Sequence, residues 1–267
     1  MKTRAITGFV FILVMISSLL LGAYVFTGFY MFLSLVCLIE FFMLVKTTGI
    51  RPHRMIAYFT ALVMFASVAA SYFFQFESKW LLINIPLFFS IFVRELFKKS
   101  KIPFSNIAYT ILGLFYAVVP FIFFHSIAFI SGTYNYELAL GYFLMLWGND
   151  TGAYLVGVKF GKRKLFERHS PKKSWEGFFG GVFSSIIIAS LLSHYFTNYD
   201  LIHWITMAII ISTFGTIGDL VESMFKRSIE IKDSGKILPG HGGLLDRFDG
   251  LLLSAPVVFV YLYLITY

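Results

Sequence analysis

The chain holds a single cysteine, Cys37, among 267 residues, and only 13% of its residues are charged. One thiol excludes an intrachain disulfide and any zinc site built from cysteines. A soluble domain of this length has about a quarter of its residues charged. A chain with 58% hydrophobic and 19% aromatic residues is instead expected in a lipid bilayer. Acidic residues are scarce, 14 against 22 Lys and Arg, and they gather late in the sequence.

What the chain has in quantity is apolar runs. A helix needs roughly 20 apolar residues to cross a hydrocarbon core of about 30 Å. Nine runs fit, near 6–25, 28–45, 55–74, 80–96, 106–125, 137–157, 177–193, 203–224 and 250–266. The expected fold is an all-α polytopic membrane protein of about nine spans. The first run follows Lys2 and Arg4 but is too long for a secretion signal and has no small-residue cleavage site, so it is expected to remain as a span.

The formal charge of +8 would suggest nucleic acid in a soluble protein. Here its distribution gives a different account, and no nucleic-acid partner is expected. With nine spans, 21 of the 22 Lys and Arg fall on one side and Lys79 alone on the other. The positive-inside rule makes that side cytoplasmic, with the N-terminus inside and the C-terminus outside. The basic loops are also suited to anionic membrane lipid.

Polar chemistry is unevenly divided. Residues 1–135 read as a membrane scaffold, with Glu40 as the exception, a carboxylate in a span expected to be protonated or paired with a neighbouring helix. Residues 136–267 read as the catalytic region of the same continuous membrane domain, with cytoplasmic loops at 159–176 and 225–249. The densest polar run is SMFKRSIEIKDSGKILPGHGGLLDRFD, Ser223 to Asp249. Asp219, Glu222, Ser223 and Lys226 are spaced i, i+3, i+4, i+7 and would share one helix face. Pro239 to Gly243 break the helix, and glycines there let backbone N–H groups approach an anion. Asp246 and Asp249 follow at i and i+3, while Arg247 points elsewhere. Three carboxylates, Asp219, Asp246 and Asp249, would suit Mg²⁺, which prefers hard oxygen ligands and leaves positions for substrate phosphates. His241 between glycines suits contact with a phosphate, with general-acid and helix-capping roles as alternatives.

Two further segments belong with this one. In Ser170–Gly177, Lys172 and Lys173 precede a helix that Ser174 would cap, an arrangement that receives polyphosphate. In Asn149–Tyr154, Asn149 and Asp150 stand beside Gly152 and Ala153, small residues that allow close helix approach.

Ser223, Lys226, Arg227, Lys232, Asp233, Gly235, Pro239, His241, Gly242, Gly243, Asp246, Arg247 and Asp249 together resemble, in order and spacing, the signature of the phosphatidate cytidylyltransferases, or CDP-diacylglycerol synthases. The segments at 149–154 and 170–177 resemble two further patterns of that family, so the likeness covers the C-terminal half; the N-terminal half agrees in hydropathy. The resemblance implies an enzyme of the bacterial inner membrane, its active site facing the cytoplasm, that joins CTP and phosphatidate to give CDP-diacylglycerol and pyrophosphate. It implies Mg²⁺ held by Asp219 and Asp246 with Asp249 close by, a monovalent cation such as K⁺ beside it, and a homodimer. Lys172, Lys173, Lys226 and Arg227 would neutralise the triphosphate or the lipid headgroup. A related CTP-dependent transferase acting on an ether lipid or polyprenyl phosphate would look similar. A cation transporter using Asp150, Asp219 and Glu222 is the alternative from another class, but transport does not call for the ordered Lys, Arg, His and Gly set.

Overall fold

A computed structural model describes residues 2–231, 234–235 and 242–267. Its helices are α1 Lys2–Leu20, α2 Ala23–Lys46, α3 Arg54–Phe74, α4 Asn84–Leu96, α5 Pro103–Ala117, α6 Val119–Ile127, α7 Tyr136–Phe160, α8 Trp175–Tyr195, α9 Leu201–Ser228 and α10 Leu245–Thr266. Each expected run has a helical counterpart. The fifth run is split between α5 and α6, because Pro120 lacks the N–H that would continue the ladder across Val118. Among the described residues, six segments are long and apolar enough to cross a membrane: α2, α3, the α5–α6 pair, α8, α9 and α10. The other three of the expected nine fall short on that measure. The apolar part of α1 is Ile6–Leu20, α4 has 13 residues, and α7 carries Glu137, Asp150 and Lys159.

The helices are joined by a small two-stranded sheet, which leaves the all-α class unchanged. Inside the basic loop 159–176, β1 Lys164–Phe166 pairs antiparallel with β2 Ser170–Ser174, forming a small hairpin between α7 and α8. The Trp175 N–H donates to the Arg163 carbonyl at 3.0 Å, and the Glu176 carboxylate accepts from Lys162 N–H at 3.0 Å. The first turn of α8 thus fastens the hairpin to the bundle.

The core is aromatic and centred on α2. Phe26, Tyr30, Cys37, Phe41 and Phe42 are at most 1% exposed. Close helix approach is concentrated further along the chain. A Cβ at Gly181 would lie 2.5 Å from Asn149 Oδ1, and one at Gly152 would overlap Ser184, so α7 and α8 meet nearly backbone to backbone. At the crossing of α9 and α10, a Cβ at Gly218 would collide with the carbonyl oxygen of Asp249. We expect Gly218→Ala to push α9 from α10 and destabilise the protein by about 1–3 kcal/mol, the usual range for overpacking. A lowered melting temperature in detergent, with activity lost in proportion, is the measurement that checks it.

The bundle has two chemically distinct ends. At one, Lys98 Nζ donates to the Arg51 carbonyl at 3.3 Å, and Asn106 accepts from Arg51 N–H and donates to Glu95. Burial holds the His53 imidazole there below its usual pKa, although Glu95 lies 2.5 Å away and pulls the other way. At the other end, the Tyr134 hydroxyl donates to the Leu19 carbonyl and the Tyr267 hydroxyl to the Ile130 carbonyl. Lys79 lies on the side of this second end, paired with Glu77.

Candidate active site

At the basic end, α7, the hairpin, α8 and α9 enclose a cavity of about 560 Å³. Asn149, Asp150, Lys172, Lys173, Ser174 and Asp219, all expected site residues, line it. Ser174 caps α8, its hydroxyl accepting from Gly177 N–H at 3.1 Å. Such a cap fixes the direction in which the preceding lysines leave the helix. Lys173 Nζ lies 2.6 Å from an Asp219 carboxylate oxygen across the cavity. Asn149 is buried, and its Oδ1 packs against α8 at Gly181. An apolar groove of about 420 Å³ adjoins the cavity, sharing Leu165, Phe178 and Thr216 with it.

A second cluster lies deeper, between α9 and α10. Lys226 Nζ is 2.7 Å from both Glu222 and Asp246. The other oxygen of Asp246 accepts N–H bonds from Ser234 and Gly243, each at 3.0 Å. Asp246 thus receives three N–H donors, and the Glu222 carboxyl also lies within hydrogen-bonding reach of it. The i, i+3, i+4, i+7 face resolves into two facets. Ser223 donates to Asp219 at 3.4 Å on the cavity side, whereas Glu222 and Lys226 turn inward. The ammonium of Lys226 is committed to its two carboxylates and does not line the cavity.

Asp249 joins the two clusters. Its carboxylate accepts Gly250 N–H at 2.7 Å and lies within electrostatic reach of Asp219, Asp150 and Lys173. The contact of Gly218 with the Asp249 backbone sets Asp219 and Asp249 beside one another. Arg227 is exposed and donates to the Ile231 carbonyl at 2.9 Å, closing the end of α9. Arg247 is exposed, with Asp150 within electrostatic reach. Gly242 has φ +83°, a conformation that favours glycine, and Gly243 contributes the amide that Asp246 binds. His241, Lys232 and Asp233 lie outside the described residues.

The family model described as "Cytidylyltransferase family" matches residues 2–265. This chain belongs to the cytidylyltransferase family. Curated relatives named phosphatidate cytidylyltransferase include one from Staphylococcus aureus (strain COL), 35% identical over 262 residues and covering 97% of each chain. Similar proteins of the same name come from Staphylococcus haemolyticus (strain JCSC1435), 34% identical over 264 residues, and Staphylococcus epidermidis (strain ATCC 12228 / FDA PCI 1200), 33% identical over 262 residues; both alignments cover 97% of each chain. The N-terminal half, which the sequence connected to the family by hydropathy, is thus included in the match.

The three carboxylates expected to hold Mg²⁺, Asp219, Asp246 and Asp249, stand in different surroundings. Among the described residues, no three His, Cys, Asp or Glu side chains converge to hold a metal. Asp246 is the carboxylate that stands apart, since Lys226 and two amides already neutralise it. Asp249 lies within electrostatic reach of Asp219, and Asp219 pairs with the Lys173 ammonium. Two carboxylates fit an ion that takes its remaining ligands from water and substrate phosphate.

Two participants were not singled out from the sequence: Lys164 and Thr216, which line the cavity. Thr216 lies three residues before Asp219, a helical spacing that offered a signal. Lys164 had none beyond its place in a basic loop.

Proposed function

We propose that the chain is a phosphatidate cytidylyltransferase, converting CTP and phosphatidate into CDP-diacylglycerol and pyrophosphate for phospholipid synthesis. The observation that carries this reading is the pairing of a cavity edged by Lys164, Lys172 and Lys173 with an adjoining apolar groove. A nucleotide polyphosphate and a lipid phosphate need opposite surroundings on either side of one reacting centre, and this pair of spaces offers both. The relatives' printed name agrees with it.

In the reaction, a phosphatidate phosphate oxygen forms a new bond to the α-phosphorus of CTP. The bond from that phosphorus to the β-phosphate oxygen breaks, and pyrophosphate leaves with the electron pair. The nucleophile is already ionised near neutral pH, so no strong general base is required. Positioning and charge neutralisation then dominate, as in phosphoryl transfer generally. Lys172 and Lys173 neutralise phosphate oxygens, Lys173 exchanging Asp219 for the incoming triphosphate. Ser174 holds these lysines at the start of α8, and Asn149 offers its amide to the bound nucleotide. Lys226 and Asp246 keep α9 and α10 in register, so that Asp219 and Asp249 face the phosphates. Mg²⁺ bound at Asp219 and Asp249 would supply further neutralisation of the triphosphate, with K⁺ as a second cation in the same site. The basic end faces the cytoplasm of the bacterial inner membrane, where CTP is available, and the protein acts as a homodimer.

The test is pyrophosphate release by detergent-purified protein, with CTP, phosphatidate and Mg²⁺ omitted one at a time. Release that needs all three is the expected result. Release supported equally by a polyprenyl phosphate would move the assignment to another lipid phosphate.

A further inference from the structure

Glu40 is the only acidic residue in the sequence of α2, and its side chain reaches the start of α10. It is 2% exposed, and its two oxygens accept the N–H groups of Leu244 at 3.0 Å and Leu245 at 2.8 Å. Its partners are thus backbone amides at a helix N-terminus, where unsatisfied N–H groups and the helix dipole favour an anion. A Cβ at Gly235 would lie 2.7 Å from one Glu40 oxygen, and a Cβ at Gly243 would lie 2.8 Å from both. Glycine at these positions lets the backbone close around the carboxylate.

The same turn also positions Asp246. Four neighbouring amides are divided between two carboxylates, with Ser234 and Gly243 given to Asp246 and Leu244 and Leu245 to Glu40. No side chain of the adjacent residue Leu244 caps α10, so this function passes to a residue 204 positions away. The next residue of α2, Phe41, stacks on Phe225 of α9 at 5.1 Å and 17°, one residue before Lys226. Consecutive residues of α2 therefore hold the two helices whose ion pair, Lys226 with Asp246, lies at the centre of the inner cluster.

We infer that Glu40 is a positioning residue of the transfer reaction: it clamps the first turn of α10 and so sets Asp246 and Asp249 relative to α9. The inference rests on the transferase reading proposed above. Glu40→Gln keeps the shape but turns an NH₂ group toward one of the two amides, donor against donor. Glu40→Asp keeps both oxygens but withdraws them by one methylene.

The experiment compares both variants with wild type in steady-state turnover of CTP and phosphatidate, thermal melting, and amide hydrogen exchange of the 242–248 segment. For Glu40→Gln, kcat should fall about 10–100-fold while KM for either substrate moves less than about threefold, the signature of geometry lost in the transition state. Exchange at Leu244 and Leu245 should quicken, melting should change little, and Glu40→Asp should recover part of kcat. Wild-type kcat in Glu40→Gln would overturn the inference. So would a kcat loss that follows a global loss of stability and exchange protection, because Glu40 would then act on the fold alone. Wild-type protein inert toward CTP and phosphatidate would overturn the functional reading and with it this role for Glu40. Unchanged exchange in Glu40→Gln beside an active wild type overturns the clamp alone.

Discussion

Asp246→Asn should reduce pyrophosphate release at least about 100-fold, the scale on which small misplacements of reacting groups are felt, while the protein still purifies as a folded membrane protein. Three donors converge on the Asp246 carboxylate: Lys226 Nζ on one oxygen, and the amides of Ser234 and Gly243 on the other. Asparagine supplies one acceptor atom and must point its NH₂ at the ammonium or at the two amides. Either way the contacts that hold Asp246 to Lys226, Ser234 and Gly243 loosen, and Asp249 moves with the helix that carries it. Glu222 remains as a counter-charge for Lys226, which is why folding should survive. The check is turnover beside size-exclusion behaviour in the same detergent. Near wild-type turnover would remove Asp246 from the catalytic arrangement.

Lys226→Met should have its main effect on stability. Its ammonium lies between Glu222, 1% exposed, and Asp246, and a methionine leaves two carboxylates facing one another with no cation between them. Removing one member of a buried ion cluster costs about 3–5 kcal/mol. For a chain of this length that lowers the melting temperature by on the order of 10 °C. Adding Glu222→Gln should recover much of the loss, because it removes one of the two stranded charges. Neither variant should regain turnover, since Asp246 still lacks its cation. A Lys226→Met protein that melts with wild type would show that the cluster contributes no stability.

The apolar runs revealed the helices reliably because a backbone in lipid must satisfy its own hydrogen bonds, which leaves few alternatives to helix. Pro120 marked the break between α5 and α6 in plain sequence, but the surrounding hydrophobicity concealed it. The hairpin at 164–174 was hidden for a different reason. Its strands are mostly polar and charged, and tertiary anchors from Trp175 and Glu176 hold them. At the site, spacing brought Asp219, Glu222, Ser223 and Lys226 to one side of a helix but could not divide that side between a cavity and a buried cluster. The division depends on where α10 crosses, and that follows from Gly218 and Gly250, whose meaning appears only when the helices are seen together. The partner of Glu40 was beyond reach, since no spacing rule connects residues 204 positions apart.

The burial of Cys37 in the centre of α2 has a practical consequence. The natural chain presents no thiol at its surface, so it is already a silent background for maleimide chemistry. A single cysteine introduced in any exposed loop is then the sole reactive handle, and the fluorophore or spin label it carries reports one known position without any native residue having been removed.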